Sequence, residues 1–173
     1  RTHNKRQRIV SIRGIEELYR IAEIIEIRNR TTLTTPLTYI YPFADASYLA
    51  ELQPLFGVHD HDLGRLQKDQ MYRLLSESLL VISIPRSDSS PRSVYESIFA
   101  GACVAVTYNK WIDVLPSCMK SRVVVVDLVD DQWLRQAISY AQEIVDTPFI
   151  ASKEALELYD ENKSIGKVIE KLY

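Results

Sequence analysis

Short apolar runs alternate with helical stretches along almost the whole chain, and few folds accept that pattern. Arg8–Ile12 (RIVSI), Leu37–Tyr41 (LTYIY), Val58–Leu63, Leu79–Ile84 (LLVISI), Ala102–Thr107 (ACVAVT) and Val123–Val126 read as six strands. Between the first two, Ile15, Leu18, Ile21, Ala22 and Ile25 recur at helical spacing. Further helices are expected over Ala46–Phe56, Lys68–Glu77, Pro91–Ala100, Asp130–Val145, Lys153–Tyr159 and Ser164–Leu172. The unbroken apolar character of LLVISI marks a strand covered on both faces, as in a parallel sheet. Strands that alternate with helices join by right-handed crossovers, so the chain should form a doubly wound parallel sheet of about six strands, an α/β fold. In the usual order 3-2-1-4-5-6, the topological switch point lies between the first and fourth strands, and ligands bind there beyond the carboxyl ends. Arg13–Gly14 and Pro85–Pro91 are therefore expected to meet at one site.

The length of 173 residues fits a single domain over 1–173, with residues 1–7 as an interdomain linker or chain edge. Lys and Arg number 21 against 23 Asp and Glu, a net charge of −2, which argues against a dedicated nucleic-acid binder. The chain is 46% hydrophobic and 25% charged, which argues against disorder. No apolar run approaches the roughly 20 residues of a membrane helix. The basic leader Arg1–Arg8 lacks the apolar stretch of a secretory signal, though it suits contact with anionic lipid as the alternative to a linker. Cys103 and Cys118 form neither a CxxC pair nor a disulfide framework, which fits a cytoplasmic location.

The segment after the fourth strand carries the chemistry: Pro85-Arg86-Ser87-Asp88-Ser89-Ser90-Pro91-Arg92-Ser93-Val94-Tyr95-Glu96. Ser90 reads as a helix N-cap with Pro91 at the first helical position. The opening amides of a helix lack internal partners and attract anions, so the turn around Arg92 and Ser93 suits a phosphate. Arg92, Ser93 and Glu96 share a face, while Val94 and Ile98 point to the core. Carboxylates such as Asp88 and Glu96 accept hydrogen bonds from paired sugar hydroxyls, and Arg13 supplies positive charge opposite the phosphates. This combination suits a nucleotide sugar.

The spacing Asp88-x7-Glu96, followed by Ser97-Ile98-Phe99-Ala100-Gly101-Ala102-Cys103-Val104-Ala105, resembles the E-x7-E signature of retaining GT-B glycosyltransferases, the glycogen-synthase-like "group 1" family. Its bacterial members that build surface polysaccharides are the most similar. The resemblance implies the Rossmann-like C-terminal, donor-binding half of a GT-B fold, with the N-terminal acceptor domain absent from this chain. It implies a hexosyltransferase whose donor is a nucleotide-diphosphate sugar, with no metal or other cofactor, and a glycan or lipid-linked acceptor reached through the other domain. Peripheral association at the inner face of the membrane is a further implication for the whole enzyme. By the same resemblance Glu96 holds the ribose hydroxyls, Asp88 faces the donor sugar, Ser89, Ser90, Arg92 and Ser93 line the phosphates and sugar, and Arg13 contacts the diphosphate. No general base is assigned within the chain, which by itself should bind donor and transfer little. Asp88 stands where the pattern has its first glutamate, one methylene shorter, and Ser89 where it has glycine. Tyr108-Asn109-Lys110-Trp111 replaces the family's G-G-x-P-E.

Two rivals share these features. One is a nucleotide-sugar epimerase on the same fold; the other is a non-catalytic flavodoxin-like module, although Arg13-Gly14 replaces the acidic cluster a phosphoacceptor needs. His59-Asp60-His61-Asp62 contains a D-x-D, but on an extended segment its histidines and aspartates alternate between faces, so a polar loop is expected and no metal site. Trp111, Trp133 and the tyrosines are expected to pack helices, and Arg86 to be solvated.

Overall fold

The computed structural model describes residues 6–88 and 91–159. Six parallel strands form one sheet: β1 (Arg8–Ser11), β2 (Leu37–Ile40), β3 (His61–Gly64), β4 (Ser78–Ser83), β5 (Cys103–Val106) and β6 (Val123–Val125). Their order is β3-β2-β1-β4-β5-β6, the usual doubly wound order, which puts the switch point between β1 and β4. Those two central strands run in register, Ile9 beside Leu80, Val10 beside Val81 and Ser11 beside Ile82.

The helices α1 (Ile21–Arg30), α2 (Ala46–Leu52), α3 (Lys68–Ser76), α4 (Arg92–Phe99), α5 (Ser117–Lys120), α6 (Trp133–Ile144) and α7 (Lys153–Tyr159) cover both faces. Successive side chains of a strand point to opposite faces, which divides the core in two. Ile9, Tyr39, Leu80 and Ile82 pack with Ile21, Ile24 and Ile25 of α1 and with Trp133, Leu134, Ala137 and Ala141 of α6. Val10, Ile12, Ile40, Val81 and Val104 pack with Leu74 and Leu75 of α3, Val94 and Ile98 of α4, Met119 and Ala155. Cys103 belongs to the first layer, and burial pushes its thiol pKa up.

Several boundaries differ from those read in the sequence. The third strand is not Val58–Leu63 but His61–Gly64; Val58 is 91% exposed in the preceding loop. Helix α4 begins at Arg92 with Pro91 at its cap position, one residue later than expected. The short helix α5 and a 3-10 turn at Lys110–Ile112 went unread. Ser164–Leu172 lies outside the described residues. Arg6, within the stretch expected as a leader, donates to the carbonyls of Leu75, Ser78 and Ala100, the last at 2.8 Å. Gly101, at φ +91°, ends α4 where a side chain is strained, and Arg122 donates to its carbonyl at 3.1 Å.

Asp60 is a buried structural anion, neither a polar-loop residue nor part of an alternating extended segment. Its carboxylate forms a two-pronged ion pair with Arg28 at 2.6 and 2.7 Å, with the side chains 2% and 7% exposed respectively. It also accepts from the Leu37 amide at 2.9 Å, the Gly57 amide at 2.7 Å and the Tyr39 hydroxyl at 2.9 Å. The Tyr39 ring stacks on Phe56 with centroids 4.1 Å apart. This network ties α1, β2 and the loop before β3 together. Burial by itself raises the Asp60 pKa, but the bonds from Arg28, Leu37, Gly57 and Tyr39 together bring it below the ordinary carboxylate value.

Removing one partner of such a pair strands the other charge, so Asp60→Asn should cost about 3–5 kcal/mol in a denaturant melt. Because the folded pKa is depressed, the stabilisation is present above the unfolded value of about 3.9 and is lost as pH falls through the folded value. Melts between neutral and acid pH should show the wild type losing this contribution below about pH 4 and the Asn variant lacking that part of the acid limb.

Candidate functional site

Beyond β1 the chain turns toward β2, and beyond β4 it turns the opposite way, toward β5, which leaves a crevice between the two exits. The first exit is fastened: the Ile15 amide donates to the Phe43 carbonyl at 3.0 Å and the Asp45 amide to the Ile15 carbonyl at 2.9 Å. Asp45 then caps α2 by accepting from the Tyr48 amide at 2.8 Å. The second exit is tied to the first, because the Arg86 amide donates to the Leu18 carbonyl at 2.9 Å.

A cleft of about 480 Å³ opens at this end of the sheet. Ile12 and Ile40 form its floor, Gly14, Tyr19 and Phe43 one rim, Arg65, Leu66 and Met71 another, and Arg92, Ser93 and Glu96 the wall from α4. A smaller hollow of about 230 Å³ lies on the β5 side, lined by Arg20, Arg86, Asp88, Asn109 and Trp111 among others. Apolar lining with a few convergent polar groups is the usual make-up of a small-molecule site.

Of the residues singled out in the sequence, Arg13, Arg92, Ser93 and Glu96 line the larger cleft and Asp88 lines the smaller. Ser89 and Ser90 lie outside the described residues. Arg13 and Asp88 touch: the Arg13 guanidinium donates to the Asp88 carboxylate at 2.7 Å, with side chains 16% and 13% exposed. The same guanidinium sits 4.8 Å from the centre of the Tyr19 ring, within cation–π range. The Asn109 amide donates to the Asp88 main-chain carbonyl at 2.6 Å.

Glu96 accepts from the Tyr72 hydroxyl at 3.1 Å and from the Arg92 guanidinium at 3.3 Å. The Arg92–Glu96 pair is therefore present, but both residues line the cleft and the Glu96 oxygen that takes Arg92 also accepts from Tyr72, so it is not a plain surface pair. Arg86 is largely solvated, at the edge of ion-pair range from Glu23 at 3.8 Å. The tyrosines do more than pack: Tyr41, at the cleft, donates to Asp62 at 2.7 Å, and burial first, then this bond, pushes its pKa up to about 12. Trp111 meets Tyr95 edge-on at 5.6 Å, and Trp133 is buried under the sheet.

Tyr19 and Phe43 line the cleft without having been singled out in the sequence. Tyr72, on α3 beside the cleft residue Met71, reaches the site only through its hydrogen bond to Glu96. Among the described residues no group of three or more His, Cys, Asp and Glu side chains could hold a metal ion. No helix among them is long and apolar enough to cross a membrane.

Gly14 is set by close approach. A Cβ there would lie 2.3 Å from the Phe43 ring edge, so Gly14→Ala must push the ring outward. The expected cost is about 1–2 kcal/mol, in the range of ordinary overpacking. A double-mutant cycle should show that loss largely erased in a Phe43→Ala background, and full additivity would contradict the contact.

No protein-family model matches the sequence, and no curated protein matches it. Solved structures do. The chain is similar to AviGT4, a glycosyltransferase involved in avilamycin A biosynthesis, at 16% identity and TM-score 0.62, over 98% of this chain and 51% of that one. It is similar to TarM of S. aureus, crystallised with fondaparinux, α-GlcNAc-glycerol and UDP, at 14% identity and TM-score 0.70, over 99% of this chain and 36% of that one. HepE of Anabaena, in complex with UDP and glucose, matches at 12% identity and TM-score 0.63, over 95% of this chain and 49% of that one. The chain spans about half of AviGT4 and HepE and just over a third of TarM. At these identities the likeness is one of fold: an α/β, Rossmann-like parallel sheet that this chain shares with glycosyltransferases of known structure.

Proposed function

We propose that the chain is the donor-binding, C-terminal half of a retaining GT-B glycosyltransferase, a hexosyltransferase that extends a glycan in bacterial surface polysaccharide assembly. The observation that carries this reading is the cleft at the switch point, lined both by Glu96 on α4 and by Arg13 from the β1 exit together with the apolar Ile12 and Ile40. The similarity in fold to HepE and TarM, both crystallised with UDP, supports it.

In this reading the base lies against Leu66 and Met71, and Glu96 accepts from the ribose hydroxyls, held in place by Tyr72. The diphosphate meets Arg13 and the first turn of α4 near Ser93, where the helix dipole favours negative charge. Asp88 turns to the hydroxyls of the donor sugar. No metal enters, because arginine and helix amides neutralise the phosphates. The acceptor and the remaining catalytic groups belong to another domain of the enzyme, so this chain alone binds donor and transfers little.

An NMR titration with UDP and GDP in EDTA tests the assignment. Shifts should cluster at Arg13 and around Ser93 and Glu96, and the two nucleotides should differ. Glu96→Gln keeps an oxygen for Tyr72 and so keeps the fold, but it should weaken nucleotide binding about tenfold, equivalent to about 1.4 kcal/mol. Equal affinity in the variant, or shifts away from the cleft, would count against the reading.

A further inference from the structure

Arg13 and Asp88 are the oppositely charged residues that the two chain exits bring together at the switch point, and their geometry is that of a resident ion pair. The guanidinium has the Tyr19 ring at 4.8 Å and donates to the carboxylate at 2.7 Å. The Asp88 backbone is pinned independently, by Asn109 at its own carbonyl and by the Arg86–Leu18 bond two residues earlier. The carboxylate can therefore leave Arg13 by rotation of the Asp88 side chain, with the loop in place. Departure also has somewhere to go, since Asp88 lines the smaller hollow while Arg13 lines the larger cleft. An anion entering the cleft meets a guanidinium that is already in place but whose charge is already answered.

We infer that Asp88 is the internal counter-ion of a diphosphate site at Arg13: the donor's diphosphate displaces it on binding, and it reclaims Arg13 as the nucleotide product departs. The inference rests on the nucleotide-sugar reading of the cleft and deepens it. Two anions compete for one guanidinium, so the apparent affinity for diphosphate is reduced by the fraction of time Asp88 occupies Arg13. When the diphosphate wins, the carboxylate is freed toward the donor sugar. Once the sugar has been transferred, that alternative partner is gone, and return to Arg13 helps to expel the product. A nearby negative charge thus favours intact donor over spent nucleotide.

The test compares wild type with Asp88→Asn, and with Asp88→Ala as a second variant. UDP and inorganic pyrophosphate are the probes, followed by calorimetry and by the Arg13 side-chain N–H signal in NMR. Both variants should bind UDP and pyrophosphate about fivefold or more tightly than wild type, as expected when a competitor that holds Arg13 most of the time is removed. In wild type the Arg13 signal should move on addition of either probe. If UDP shifts Arg13 and Glu96 in wild type but neither variant binds it more tightly, the counter-ion is overturned and the nucleotide reading stands. If pyrophosphate binding tightens while UDP produces no cleft shifts, the counter-ion is supported and the nucleotide reading fails. If neither probe perturbs Arg13 in any of the three proteins, both are overturned.

Discussion

The parallel pairing of β1 with β4 is the constraint from which the functional end of this molecule follows. These strands are distant in sequence yet hydrogen-bonded along their length, with Ser11 beside Ile82 near their carboxyl ends. Every earlier strand is laid down on one side of β1 and every later one on the far side of β4. The crossovers therefore wind in opposite directions from this seam, and only here do two exits part without a connection passing over them. Arg13 and Asp88 meet because they are each a short distance past the same seam. So do the apolar floor and the α4 wall that bears Glu96.

Among the described residues two arginine–aspartate pairs have nearly equal length, and their surroundings assign them different work. Asp60 accepts five hydrogen bonds among the described residues, from Arg28 twice, from two amides and from Tyr39. A carboxylate so fully engaged and nearly excluded from solvent has no capacity left for a ligand, and it fixes the sheet edge around β2 and β3. Asp88 lines the smaller hollow, partly exposed, and is paired with a guanidinium that lines the larger cleft. An ion pair there is accessible to competition from an incoming anion in a way that the buried pair is not.

Much of this architecture was legible because periodicity survives folding. The continuous apolar run from Leu79 to Ile84 announced a central parallel strand, and Val94 and Ile98 point inward as their spacing requires. The third strand was misplaced because its true residues, His61–Gly64, form a short exposed edge with little apolar content, whereas Val58 drew the reading forward. Arg28 shows how a signal can be present and overlooked. It lies three and four residues after Ile25 and Ile24 on the buried face of α1, so its charge needed a partner inside the protein. The partner is 32 residues away in a loop, and local patterning does not reveal it. Tyr19 and Phe43 were missed for the same reason: their ring contact and their place at the cleft join separate loops.

The sequence by itself determined the alternation of strands and helices and the hand of their connections, because these follow from local spacing and a handed connection rule. The strand order, and with it the pair of loops that meet at the switch point, came from the folded sheet. Which charges answer one another was decided only by tertiary structure. Arg13 with Asp88, Tyr72 with Glu96 and Asn109 with the Asp88 carbonyl are each 21 or more residues apart. The direction in which a side chain points depends on strands and helices packed around it, and electrostatic partnership depends on distance in space. Neither is encoded in the neighbours along the chain.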